Sequence, residues 1–195
     1  MNVIIRTYRR PNGFNKCYIS LLNQTYKGIR AIVGCQELCP YFFALRLSRK
    51  AVSGDKPLLG KPAPYNLHLN ELNTHVKEGW VMYLDDDDMF VHDNAVQVIM
   101  DSITSEDDLL IWKVKIKKKI VPSDRAFGKA IIPGDISGIG FAFHSKHLPV
   151  DWGCYTYGDY RVITELASRG LKIQWIDQIL TRTQGRPGRG TKIEL

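Results

Sequence analysis

The stretch Trp80 to Val91 reads Trp-Val-Met-Tyr-Leu-Asp-Asp-Asp-Asp-Met-Phe-Val, a short apolar run that stops on four consecutive carboxylates. A run of this length, rich in aromatic and branched side chains, predicts a buried strand over Trp80 to Leu84. Four adjacent carboxylates have no place in such a core, so Asp85 to Asp88 must lie at the strand's end, towards water or a cation. If the chain stays extended, Asp85 and Asp87 point to the same side, because side chains alternate with period two. Two carboxylates on one side of a strand end suit a hard divalent ion whose other ligands are substrate phosphates and water. Asp85, Asp87 and Asp88 are therefore the candidate metal ligands. A solvated acidic turn is the alternative, and an isolated acidic run would favour it. The apolar strand in front turns the reading towards a site.

The rest of the chain limits what that site can serve. With 195 residues and 44% hydrophobic composition, a single domain with a proper core is expected. No apolar run approaches membrane-spanning length. A first strand beginning at Val3 predicts no room for a leader peptide, and hence a cytoplasmic protein. Cys17, Cys35, Cys39 and Cys154 form no CxxC pair. Cys35 and Cys39 have no matching pair downstream, so a zinc site is not expected and reduced thiols are. The net charge of +7, despite the acidic cluster, suggests an anionic partner. Nucleotide phosphates and a larger polyanion such as nucleic acid both satisfy it.

Val3-Ile4-Ile5 reads as a first strand with Arg6-Thr7-Tyr8-Arg9-Arg10 at its C-terminal end, and Pro11-Asn12-Gly13 as a turn. Phe14, Tyr18, Leu21 and Leu22 share a helical face, predicting a helix over Asn15 to Gln24, and Ile29 to Val33 reads as a second strand. Ligands of such βαβ units bind beyond the carboxyl ends of the strands, which places Arg6 to Arg10 at a nucleotide or, alternatively, in a solvated basic loop. Tyr41 to Lys50 reads as a helix and Gly54 to Pro64 as a loop. Asn66 caps a helix bearing Leu69, Leu72 and Val76, ended by Gly79. Asp93 or Asn94 caps another bearing Val96, Ile99, Met100 and Ile103. Gly138 to His144 is a further strand, and Asp159 opens a helix that stops at Gly170. Leu171, Ile173 and Trp175 alternate in a last strand.

Two familiar phosphate and metal motifs fail. Gly54 with Gly60-Lys61 is one residue too long for a P-loop, and Pro62 stands at its Ser/Thr position. Counting from Asp85, an EF-hand would need glycine where Phe90 stands and glutamate where Val96 stands. Leu109 to Ile120 alternates Trp112, Val114 and Ile116 with Lys113, Lys115 and Lys117, followed by Lys118-Lys119, predicting a strand with one basic face. Lysines guard edge strands, yet five in seven positions also fit contact with a polyanion. The tail, Thr181 to Arg189, is cationic and Gly-rich, suited to disorder or to closing over phosphates through Arg186 and Arg189.

Several pieces in this order resemble glycosyltransferase family 2 and its GT-A fold. They are Val3-Ile4-Ile5-Arg6-Thr7-Tyr8-Arg9-Arg10, Ser20-Leu21-Leu22-Asn23-Gln24-Thr25-Tyr26, Tyr83-Leu84-Asp85-Asp86-Asp87-Asp88, Gly158-Asp159-Tyr160 and Gly170-Leu171-Lys172-Ile173. The resemblance covers about the whole chain. It implies an α/β, Rossmann-like domain over residues 1–195, with a mostly parallel central sheet flanked by helices and a small antiparallel hairpin on the acceptor side. Residues 1–110 would form the nucleotide-sugar half, 111–180 the acceptor half and 181–195 a flexible basic tail. It further implies sugar transfer from a nucleoside diphosphate, a UDP-sugar being the first expectation, with Mn²⁺ or Mg²⁺ held by Asp85, Asp87 and Asp88. Thr7, Tyr8 and Arg9 would line the nucleotide pocket, joined by Asp85, Asp86, Arg186, Arg189 and His144. Asp159 matches the general base of inverting members; as a bare residue it reads equally as a helix cap. The chain departs from the family after the second strand, where Gly34-Cys35-Gln36-Glu37 replaces the usual acidic pair near the nucleobase.

The expected function is thus metal-dependent, inverting glycosyl transfer. Lys113, Lys115, Lys117 and Lys119 and the high pI suit a polyanionic acceptor, for example DNA bearing a hydroxymethylated pyrimidine extruded for reaction. Cell-surface glycan assembly is the rival acceptor. Nucleotidyl transfer and a non-catalytic nucleic-acid-binding module remain as alternatives of other classes.

Overall fold

The computed structural model describes residues 1–35, 44–47, 50–51 and 60–184. In chain order its elements are β1 (Asn2–Thr7), α1 (Pro11–Leu22), β2 (Arg30–Cys35), β3 (Leu45–Arg46), α2 (Leu67–Asn73), β4 (Trp80–Asp85) and β5 (Asp88–Phe90). They continue with α3 (Ala95–Asp101), β6 (Asp108–Ile116), β7 (Lys119–Val121), β8 (Phe141–His144), α4 (Gly158–Ser168) and β9 (Lys172–Thr183). The strands form one sheet in the order β3-β2-β1-β4-β8-β6-β9-β5, with β7 paired to β6. From β3 to β4 the pairing is parallel; β8 then runs antiparallel to both β4 and β6, and β6 and β9 are parallel again. This is the α/β architecture expected, and β6 and β7 form a small antiparallel hairpin.

Strand β4 lies inside the sheet, and both of its faces are covered. Trp80, Met82 and Leu84 join the cluster under α1 and α3, while Val81 and Tyr83 join the one under α2 and α4. Burial on both faces is why its sequence is continuously apolar rather than alternating. Only two residues separate β4 from β5, yet β5 pairs with β9 at the far end of the strand order. The sheet therefore curls until its last strand meets its middle.

The Ser-Leu-x-x-Gln-Thr-Tyr segment has a structural job here. Gln24, 1% exposed, donates Nε2–H to the carbonyls of Ser20 and His92, both at 3.0 Å, and its Oε1 accepts from Val96 N at 2.9 Å. Ser20 Oγ accepts from Phe90 N at 3.2 Å. Together they bind the end of α1 to β5 and to the start of α3. Gln24→Ala leaves these buried groups without partners, and we expect it to lower unfolding free energy by about 2 kcal/mol in urea denaturation. A change below about 0.5 kcal/mol would remove Gln24 as the tie.

Several sequence expectations need correction. Pro11-Asn12-Gly13 is not a turn but the first turn of α1, because proline suits the first helical position, where its missing N–H costs nothing. The segment 109–120 is not one strand: the chain reverses at Lys117, whose φ is 56°, and returns as β7. Nor is β6 an edge, since β8 and β9 flank it. The helix expected over residues 41–50 lies half outside the described residues, and its described Leu45 and Arg46 form β3 instead. β9 continues through Thr183, three residues into the expected tail. Cys17, Cys35 and Cys154 are buried, and Cys39 lies outside the described residues. Among the described residues no helix is long and apolar enough to cross a membrane.

Candidate functional site

Beyond the carboxyl ends of β1 and β4 lies a cleft of about 780 Å³ whose walls include Asp85 to Asp88 and Asp159. The aspartates do not continue an extended strand. Asp85 ends β4, residues 86–87 turn, and Asp88 opens β5. Alternation along a strand is therefore not what gathers them. The turn does so, with carboxylate oxygens of Asp85, Asp87 and Asp88 all within 4.8 Å of one another. Its tightness has a local cause: Asp88 Oδ2 accepts from Asp85 N at 3.0 Å. The first turn of α1 closes over it at Gly13, where a Cβ would lie 2.9 Å from the Asp86 carbonyl oxygen.

Two arginines hold the turn. Arg6 binds Asp85 in bidentate fashion, Nε to Oδ1 at 2.5 Å and Nη2 to Oδ2 at 2.9 Å. Its Nη1 donates to the Tyr65 carbonyl at 3.1 Å and to Asn66 Oδ1 at 3.2 Å, and the guanidinium lies 4.7 Å from the Tyr65 ring centre. Arg10 Nη1 reaches Asp86 Oδ1 at 2.8 Å and Asp87 Oδ1 at 3.0 Å. Asp86 also accepts from Thr7 Oγ1 at 3.1 Å and Tyr8 N at 3.0 Å, so it organises the loop between β1 and α1.

Among the described residues, two positive charges against four carboxylates leave the turn short of cation. Burial raises the pKa of Asp87, against the pull of Arg10, and burial with the charges of Asp85 and Asp87 pushes Asp88 well above the ordinary carboxylate range. Oxygen-only donors, crowded and under-neutralised, fit a hard divalent cation. Asp87 and Asp88 carry that fit most directly, because both oxygens of Asp85 already hold Arg6.

Asp159 stands in the first turn of α4. Gly158 before it admits no side chain, since a Cβ there would lie 2.6 Å from the Trp152 carbonyl oxygen. Asp159 Oδ1 accepts from Tyr160 N at 2.8 Å, and the backbone amides of its own residue and Gly138 also favour the ionised form. Burial nevertheless raises its pKa above the ordinary value, the hydrogen bonds opposing the shift and the Asp85 charge adding to it. A carboxylate with a raised pKa in a cleft is suited to taking a proton from a ligand.

Other expected site residues separate. Thr7 and Tyr8 line the cleft; Arg9 does not, and its guanidinium lies 5.4 Å from the Tyr8 ring centre. Arg6 and Arg10 take the place expected of Arg9, and only the basic run around them marked them in the sequence. Arg186 and Arg189 lie outside the described residues. His144 does not reach the donor region: it pairs with Trp80 at the opposite end of β4, 3.7 Å from Glu106. Lys113 pairs with Asp177 at 2.5 Å and lies 4.7 Å from the Phe127 ring centre. Lys115, Lys117 and Lys119 are exposed, and none of these lysines lines the cleft.

The fold is GT-A, a Rossmann-like arrangement of sheet and helices. Among solved structures the chain is similar to S. aureus TarS, with a TM-score of 0.64 at 12% identity over 95% of this chain and 37% of that one. It is similar also to TarS 1-349 in complex with UDP-GlcNAc, with a TM-score of 0.62 at 12% identity over 97% of this chain and 59% of that one. The chain thus spans well under two thirds of the TarS chains it matches. A putative glucose-1-phosphate thymidylyltransferase from Bacillus anthracis gives a TM-score of 0.51 at 12% identity over 96% and 91% of the two chains. No protein-family model matches the chain, and no curated protein matches it.

Proposed function

We propose that the chain transfers a sugar from a nucleoside diphosphate donor, a UDP-sugar in the first instance, to an acceptor hydroxyl with inversion. The observation that carries this reading is the sharing of one cleft by a crowded aspartate turn and a separate carboxylate of raised pKa. The acceptor oxygen attacks the anomeric carbon while Asp159 takes its proton. The bond from that carbon to the diphosphate breaks, and the nucleoside diphosphate leaves with the electron pair. Asp87 and Asp88, with Asp85 beside them, would hold Mn²⁺ or Mg²⁺, which when bound supplies Lewis-acid neutralisation of the departing charge. Arg6 and Arg10 keep the carboxylates in position.

The acceptor we propose is a polyanion, with DNA carrying a hydroxymethylated pyrimidine as the concrete case. Strand pairing supports it: Met89 of β5 pairs with Arg182, Arg182 with Lys115, and Lys115 with Ile120. The exposed lysine hairpin thus lies one strand away from the strand that Asp88 opens. The test incubates the protein and Mn²⁺ with a panel of sugar nucleotides and three acceptors: hydroxymethylated DNA, plain DNA and cell-surface glycan. Product on glycan alone removes the DNA acceptor.

Nucleotidyl transfer is a second reading, favoured by the likeness to the thymidylyltransferase and to the bifunctional IspDF from Campylobacter jejuni, whose TM-score is 0.52 at 10% identity over 91% and 49% of the two chains. Release of pyrophosphate in place of nucleoside diphosphate identifies it. A non-catalytic nucleic-acid module would show DNA binding with no donor turnover.

A further inference from the structure

The end of the cleft built by α2 holds a polar group that the reaction above does not use. His68 is 4% exposed and lines the cleft beside Leu47, Lys50, Pro64 and Tyr65. Its Nδ1 is buried without a hydrogen-bond partner. Burial, together with the positive charges of Lys50 and Arg6, lowers its pKa, so the ring is neutral near pH 7. A neutral imidazole has one N–H and one bare nitrogen. An orphaned buried N–H is rarer and costlier than an orphaned acceptor, so the proton belongs on Nε2 and Nδ1 keeps its lone pair. Nε2 then carries the proton, a hydrogen-bond donor without charge on a side chain that lines the cleft.

The neighbours narrow what that donor meets. Leu47 is buried, Pro64 has no N–H, and the Tyr65 ring is 49% exposed. Among the described residues these three offer flat apolar surface and few hydrogen bonds, while the Lys50 ammonium beside them is held by Glu71. A saturated, polyhydroxylated ring would leave hydroxyls unmatched there. A planar heteroaromatic ring would stack and present a polar edge.

We propose that His68 reads the base of the donor, its Nε2–H donating to a carbonyl oxygen on the ring. The cleft then takes nucleoside diphosphates whose base carries such an oxygen (uracil, thymine, guanine or cytosine) and discriminates against adenine. This rests on the nucleotide-donor reading above.

Calorimetric titration of UDP, ADP and inorganic pyrophosphate, each with Mn²⁺, tests it. Wild type is expected to bind UDP at least about 3-fold more tightly than ADP. His68→Ala is expected to weaken UDP by about 3- to 10-fold while ADP and pyrophosphate stay unchanged. His68→Gln, whose amide N–H reaches the position of Nε2, is expected to recover most of the UDP affinity. Equal losses on UDP, ADP and pyrophosphate, or no loss on UDP, would overturn the assignment and leave the donor reading standing. Wild type binding no nucleoside diphosphate more tightly than pyrophosphate would overturn the donor reading itself. Should the alanine variant not fold, the wild-type preference and the glutamine variant decide: equal UDP and ADP affinities in both refute a base-reading histidine.

Discussion

Asp87→Ala is expected to cut transfer by about 10²- to 10³-fold or more at saturating donor, and to lose the binding of Mn²⁺ measured by electron paramagnetic resonance. The argument is one of charge. Asp87 lies on the two-residue turn between β4 and β5, 3.0 Å from Arg10, with its side chain 18% exposed. Its carboxylate oxygen lies within 4.8 Å of those of Asp85 and Asp88. Under the proposed function, removing it would take away a ligand for the cation, and with it the charge neutralisation of the leaving diphosphate. Folding should respond the other way. Burial makes the ionised form of Asp87 unfavourable, and its loss relieves repulsion on Asp88, so the variant should melt no lower than wild type without metal. Transfer within tenfold of wild type at saturating Mn²⁺ would place the cation elsewhere.

Asp159→Asn should leave donor and Mn²⁺ binding intact and reduce kcat by about 10²- to 10⁴-fold, the usual share of a positioned proton acceptor. Asparagine is of the same size and keeps the acceptor oxygen that meets Tyr160 N, so α4 should begin as before. The pH profile supplies a second readout. The base works only when deprotonated, and burial has raised its pKa, so wild-type activity should fall on the acid side at a higher pH than an ordinary carboxylate would dictate. In the asparagine variant that limb should vanish. A variant with unchanged turnover, or one that keeps the acid limb, would take the role of base from Asp159.

Much of this was visible in the residues, for identifiable reasons. An apolar run that breaks into carboxylates has one physical solution, a buried strand ending at a polar edge, and β4 with Asp85 at its end is that solution. The parallel start of the sheet, β1 to β2 through α1, followed from strand–helix–strand spacing. What stayed hidden depended on distant partners. Nothing near Arg6 or Arg10 says that their counter-charges stand at residues 85–87, since the pairing spans 79 residues for Arg6 and 76 for Arg10. The β6–β7 turn carries neither Gly nor Asn, only lysines, so no local signal interrupts the alternation. The aspartate turn escaped for the same reason: four identical residues contain no mark of where the chain bends. His68 sits between leucines on α2 and reads simply as part of a helix.

The closing of β9 on β5 also bears on when the molecule becomes competent. Gln184 donates its backbone N–H to the Asp87 carbonyl at 2.7 Å, and its Nε2 donates to the carbonyls of Gly13 at 3.0 Å and Asp88 at 3.2 Å. Among the described residues strand β5 pairs in the sheet with β9 alone. A nascent chain that has left the ribosome only as far as β8 therefore holds the acidic turn by one side alone. Its final clamp, Gln184, lies 96 residues further along the chain than Asp88, so the turn is fully held only once β9 has been made.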